Sequence, residues 1–178
     1  MARRGEREAT ARWASWTADR VTGALLERSW DERLGLFVNL AGPDERRSRV
    51  KTIHGLMPLV LPDLPQAVAD RLVEHLCNPL TFDAPYPVPS VALDERTFLH
   101  DHRLRGFRFI WRGPLSLNTN WFLAHGLRGH GYDDVAARIA ERSREAVERG
   151  GLNEFYDPLD GSPVGAERFG WATLIADI

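Results

Sequence analysis

Apolar residues recur at helical intervals in six blocks of the chain, separated by stretches where glycine and proline break the rhythm. In TARWASWTADRVTGALLERSW, Ala14, Thr17, Val21, Ala24 and Leu25 share one face and Asp19, Arg20, Glu27 and Arg28 take the others, which predicts a helix over 10–28. DERLGLFVNLAGPDERRSR is interrupted by Gly35 and Gly42-Pro43 and reads as a loop with short extended pieces. VKTIHGLMPLVL predicts a short buried helix distorted at Pro58. PQAVADRLVEHLCN opens with Pro65 in a first-turn position and repeats Val68, Leu72 and Leu76 every four residues, so a helix follows.

Over 79–109 the periodicity vanishes, and Pro79, Pro85, Pro87 and Pro89 forbid a regular helix. The aromatic and apolar residues of this long segment predict an ordered functional loop on the active-site side of one domain, 1–178. PLSLNTNWFLAHGLRGHGY predicts a helix over 114–128 that stops at Gly129 and Gly131. DDVAARIAERSREAVERGG predicts the next, with Asp133 or Asp134 as N-cap, Val135, Ile139 and Ala146 on its apolar side, and Gly150-Gly151 at its end. RFGWATLIADI begins a sixth. No strand repeat is visible, so the fold class is all-α, a series of helical hairpins.

Composition narrows the function. With 178 residues, 43% of them hydrophobic and 27% charged, the chain has the makings of one ordinary globular core. A formal net charge of -2 gives no basic excess for phosphates, so nucleic acid is not expected as a partner. The single cysteine, Cys77, cannot close an internal disulfide, no apolar run is long enough to span a bilayer, and MARRGERE lacks a signal-peptide core. These features predict a cytoplasmic protein with no membrane contact. Six tryptophans against three tyrosines fit a sugar-binding cleft, because each indole N–H needs a partner.

The segment FIWRGPLSLNTNW is unusual in placing Trp111, Arg112 and Gly113 just before a helix that carries two asparagines. Asn118 and Asn120 are two apart on that helix, so they point to different sides and only one is expected at a pocket; Asn118 is slightly favoured. WRGPLSLNTNWFLAHGLRGHGY followed by GLNEFYDPLDGSPVGAERFGW resembles the carboxyl-terminal part of glycoside hydrolases of the mannosylglycerate hydrolase and processing α-glucosidase type, with trehalases more distant. GLFVNL, VKTIHGLMPL and PYPVPSVALDE extend the resemblance over nearly the whole chain. It implies an (α/α)6 toroid of six helical hairpins, of which this chain is about half, and inverting hydrolysis of an α-linked glucoside or mannoside without cofactor or metal.

The resemblance assigns Glu154 in NEFYDP as general base. Inverting chemistry needs one carboxylate to activate water and a second, roughly 6.5–9.5 Å away, to protonate the leaving oxygen. On the local sequence alone Glu154 reads as a surface loop acid, as most Glu residues are, and the family motif is what lifts it to a catalytic candidate. Trp111, Arg112, Gly113, Asn118, Tyr156 and Trp171 are assigned to the sugar by the same resemblance. Without it, Trp111 is as readily a packing indole and Arg112 a structural clamp. Relatives commonly place Thr after the tryptophan matching Trp171; Ala172 stands here, removing a hydroxyl.

Other residues carry less. His125 and His130 lack metal-ligand spacing and read as structural. His100 and His102 beside Asp101 read as a solvated polar loop, with metal binding the lesser alternative. Lys51 and Thr52 match a family stretch near the barrel interior, though Lys51 is equally a solvated helix end, and LDGSPVGAE lacks the spacing and lysine of a phosphate loop. The family's general acid, an Asp in a segment of the DNSPRW kind, has no counterpart, and Asp31, Asp157 and Asp160 do not replace it. Two expectations follow: a part of a split or truncated glycoside hydrolase completed by another half-barrel or by a second copy, or a non-catalytic helical module that binds sugars or partners. The flanks near Val21 and Leu25 and near Leu174 and Ile178 are the expected contact faces.

Overall fold

The computed structural model of the chain describes residues 2–99, 103–104, 107–108 and 111–178. His100, Asp101 and His102 lie outside the described residues. Among the described residues four α-helices form the frame: α1 (Ala2–Arg28), α2 (Gln66–Leu76), α3 (Leu117–Gly129) and α4 (Asp133–Gly150). Ile53–Gly55, Met57–Val60 and Gly170–Ala176 are 3-10 turns, so the distortion expected at Pro58 dissolves that helix into two short pieces, and the sixth is 3-10 over its described length.

Among the described residues eight short strands pair into four antiparallel hairpins: β1 (Trp30–Asp31) with β2 (Leu36–Phe37) and β3 (Asn39–Ala41) with β4 (Arg46–Ser48), which fall on the stretch read as a loop with short extended pieces, and β5 (Arg103–Leu104) with β6 (Phe107–Arg108) and β7 (Asn153–Tyr156) with β8 (Pro163–Glu167), which the chain's pattern does not announce. At two to five residues each, they are too short to build an alternating run. The core is assembled on the helices.

It is built where periodicity is strongest. Ala69, Leu72, Val73 and Leu76 of α2 and Ala136, Ile139 and Ala140 of α4 bury against Leu123, Ala124 and Leu127 of α3, together with Leu56 and Leu59. α3 approaches the 57–60 turn so closely that a Cβ on Gly126 would lie 2.5 Å from the Leu59 carbonyl oxygen. Asp133 and Asp134 sit in the first turn of α4, where they face the positive end of the helix dipole, while the N-cap is Tyr132. The expected aspartate cap is therefore corrected by one or two positions.

α1 differs most from expectation. Its buried contact is made by Thr22, with Leu25 and Leu26 half-buried, whereas Ala14, Val21 and Ala24 are exposed, as are Trp13 and Trp16. The helix is polar on most of its circumference and touches the body mainly through its last turns, where it meets β1. Ile178 is buried and Leu174 half-buried, so that flank is largely covered by the chain itself.

Candidate active site

Four chain segments lie side by side and carry most of the candidate residues. The Ile53 amide donates to the Ser90 carbonyl at 3.0 Å and the Ala92 amide to the Lys51 carbonyl at 3.0 Å. The Ser90 amide reaches the Gly113 carbonyl at 3.2 Å, and the Gly113 amide returns to Ser90 Oγ at 3.0 Å. Leu115 and Tyr156 then exchange backbone hydrogen bonds of 2.9 and 3.1 Å, which ties the Trp111–Leu115 stretch to β7. The proline-rich segment is thus the middle layer of this ribbon. Its residues Phe82, Ala84, Val88, Val91 and Ala92 are buried, as an ordered loop requires.

Glu154 lies half-buried on β7, with the buried Phe155 beside it. Its Oε2 accepts a hydrogen bond from the Ala166 amide of β8 at 3.2 Å. Trp111, 46% exposed, meets the Phe155 ring edge-on at 5.2 Å, and the exposed His54 ring stands 6.2 Å from Trp111 at a tilt of 34°. His54 is a residue that the sequence did not single out. The only signal was its position in VKTIHGLMPL, one residue beyond Ile53 in a stretch already tied to the family.

A second group forms at the start of α3. Asn118 and Trp171 line one open cleft of about 420 Å³ with Phe122, Gly170, Thr173 and Leu174. Asn118 Oδ1 accepts from the Thr119 amide at 2.8 Å and from Ser116 Oγ, which leaves its amide nitrogen as the donor turned away from those two bonds. Trp171 is 63% exposed and Phe122 45%, so two aromatic faces with a polar neighbour border the same space. Asn120 faces the other way. Fully buried, it donates to the Pro87 carbonyl at 2.8 Å and Ser143 Oγ at 2.9 Å and accepts from the Val88 amide at 3.2 Å. The two asparagines do point to different sides, and Asn118 is the one at a cleft.

Two assigned residues are turned inward. Tyr156 is fully buried: its hydroxyl donates to the Gly151 carbonyl at 2.6 Å and accepts from the Asn153 amide at 3.0 Å, so it fastens the β7 turn and has no face for a sugar. Burial pushes its hydroxyl pKa up, against the Asn153 hydrogen bond. Gly113 is buried too, and the space a Cβ would fill is taken by the Leu99 carbonyl oxygen, 2.5 Å away. The group that approaches this glycine so closely is the chain's own loop. Arg112 is half-buried and its carbonyl accepts from the Leu99 amide at 2.6 Å. Ala172 points into a small core with Leu115, Leu117, Ala146 and Tyr156, so a hydroxyl at that position would meet apolar side chains.

The acids near the chain's turns are committed to local work. Asp31 Oδ1 accepts from the Leu34 amide at 3.2 Å and the Arg33 amide at 3.1 Å, and its Oδ2 pairs with Arg49 at 3.2 Å. The Leu34 hydrogen bond leads the causes that hold the Asp31 carboxyl below the usual carboxylate range, the opposite of what a proton donor needs. Asp157 and Asp160 accept from the Leu159 and Ser162 amides, each at 2.8 Å, inside the β7–β8 turn. Lys51 pairs with Asp94, and His130 Nε2 lies 3.0 Å from the Leu61 carbonyl oxygen. His125 approaches Asp177 at 3.5 Å. No group of three metal-ligating side chains occurs among the described residues.

The family model of the mannosylglycerate hydrolase MGH1-like glycoside hydrolase domain matches residues 1–172. The chain belongs to this family. A mannosylglycerate hydrolase of Thermus thermophilus is 32% identical over 151 residues, covering 85% of this chain and 34% of the relative, and one of Rubrobacter radiotolerans is 30% identical over 169 residues, covering 90% and 36%. The crystal structure of a Thermus thermophilus GH63 mannosylglycerate hydrolase in complex with glucose, 32% identical, superimposes with a TM-score of 0.74 over 85% of this chain and 34% of that one. Neutral trehalase from Saccharomyces cerevisiae, at 19% identity and a TM-score of 0.64, shares the fold alone. The MGH1-like chain therefore holds part of an (α/α)6 toroid. It spans about a third of the length of the mannosylglycerate hydrolases it matches.

Proposed function

We propose that this chain supplies the base-bearing part of an inverting α-glycosidase site. The supporting observation is the placement of Glu154: a half-buried carboxylate, fixed by a backbone N–H from β8, one residue from the Phe155 that backs the exposed Trp111. Glu154 takes the proton from the attacking water. Trp111 offers an apolar plate to one sugar face, Arg112 answers hydroxyls or a carboxylate, and Asn118 with Trp171 borders the neighbouring cleft. The general acid comes from a segment outside these 178 residues, because the acids Asp31, Asp157 and Asp160 are occupied in turns. The substrate is an α-linked mannoside or glucoside of the mannosylglycerate kind, handled in the cytoplasm without a metal or cofactor. The remaining toroid is provided by another polypeptide region, or the open face pairs with a second copy.

The experiment mixes the pure chain with a polypeptide carrying the other two-thirds, roughly, of the Thermus thermophilus relative and follows α-mannosylglycerate by NMR. The chain alone turns over feebly, since general acid catalysis accounts for about 10²–10⁴ in rate. The mixture releases the β-anomer first, and Glu154→Gln removes that activity while sugar affinity stays nearly intact. Undiminished turnover in Glu154→Gln, or robust turnover by the chain alone that survives a panel of Asp→Asn variants, refutes the reading.

A further inference from the structure

The β7–β8 hairpin is irregular at the residue opposite Glu154. Between the pairs Asn153–Glu167 and Phe155–Val164, β7 advances two residues and β8 three, so β8 carries an extra residue there. Gly165 supplies it with φ +85°, a left-handed conformation that L side chains rarely adopt. A Cβ built on Gly165 would lie 2.8 Å from Glu154 Oε2 and 3.0 Å from Glu154 Cβ, so the absent side chain is the space that the carboxylate occupies. Next to that glycine, the Ala166 amide donates to Glu154 Oε2 at 3.2 Å.

We infer that the Gly165–Ala166 bulge is the positioning element of Glu154: Gly165 vacates the carboxylate's seat and Ala166 N–H fixes one oxygen, leaving Oε1 free to address a water. This rests on the reading of Glu154 as general base, but the mechanical part stands without it. Both are positioning residues, because they act through the Glu154 carboxylate. A misplacement of about 1 Å at a reacting group can lower turnover on the order of 10²-fold. Gly165→Ala should therefore lower kcat about 10- to 100-fold in an active assembly, with KM changed far less.

The test that needs no activity is NMR of the full 178-residue chain. In the wild type the Ala166 amide proton is deshielded by the carboxylate, and in Glu154→Gln its resonance moves upfield while amides on α2 and α4 stay in place. Gly165→Asn, whose side chain tolerates the left-handed backbone but still carries a Cβ, moves the Ala166 resonance the same way because the carboxylate is displaced. An Ala166 amide unmoved by Glu154→Gln overturns the inference, as does Gly165→Asn with an unmoved Ala166 resonance. Ala166 responding to Glu154→Gln in a variant that still turns over at the wild-type rate leaves the bulge assigned and removes Glu154 from the chemistry.

Discussion

Replacing Asn120 by alanine should unfasten the loop behind Trp111 and cost the fold far more than the same change at Asn118. Asn120 is fully buried and spans three elements: it donates to Pro87 O at 2.8 Å and Ser143 Oγ at 2.9 Å and accepts from Val88 N at 3.2 Å. Alanine orphans the Val88 amide and the Pro87 carbonyl, each at about 1–3 kcal/mol when buried without a partner. Ser143 is spared, because its hydroxyl still donates to the Ile139 carbonyl at 2.7 Å. The loss is therefore about 2–6 kcal/mol, a large share of a domain stability of about 5–15 kcal/mol. For a chain of this length each kcal/mol moves Tm by about 2–4 °C, so the melting temperature falls by roughly 4–24 °C. Asn118→Ala loses only bonds at the half-exposed start of α3 and should fall by less than about 1 kcal/mol. Calorimetry of the two variants and the wild type decides it. Equal destabilisation of both, or an Asn120→Ala loss below about 1 kcal/mol, would show that the 85–89 backbone is held by something other than the Asn120 amide.

What was legible in the sequence depended on how far each feature repeats. α2 and α4 could be read because Leu72 and Leu76, or Ile139 and Ala146, recur often enough to define a face, and because Pro65 and Gly150-Gly151 punctuate them. The β7–β8 hairpin could not: Asn153, Phe155 and Tyr156 are all buried, so both faces of the strand are covered and no alternation survives. Tyr156 is placed at the sugar by the family resemblance alone, with no strand pattern to set its facing. Glu154 on the same strand is set apart by chemistry, but which side of a four-residue strand faces a cleft is decided by what packs on it, and the partners of Tyr156, Leu115 and Gly151, are 41 and 5 positions from it. Gly113 shows the same limit. A glycine reports that something comes close, and only the fold says that it is the Leu99 carbonyl.

Tyr132 gives a prediction in pH. Burial first, and then its hydrogen bond to the Asp70 carboxylate, raises its hydroxyl from 10.0 to about 12. A group whose folded pKa is raised contributes stability that is present below its unfolded value and lost as pH climbs through the folded one, so the wild type should lose urea resistance between about pH 10 and pH 12 while Tyr132→Phe loses less across that window. Parallel curves for the two proteins would contradict this. The last prediction sets two helical glycines against each other. Alanine in place of glycine inside a helix is favourable by about 1 kcal/mol when there is room. At Gly23 of α1 nothing lies within 4 Å of the added Cβ, so Gly23→Ala should be neutral to stabilising. At Gly126 of α3 the Cβ would meet Leu59 O at 2.5 Å, Leu59 C at 2.7 Å and Val60 N at 2.9 Å, all backbone atoms that cannot swing aside. Forcing α3 off the 57–60 turn should cost about 1–3 kcal/mol from overpacking, enough to outweigh the propensity gain. Urea titrations of both variants separate the terms: a stabilised Gly126→Ala would mean that α3 and the 57–60 turn stand further apart than this packing has them.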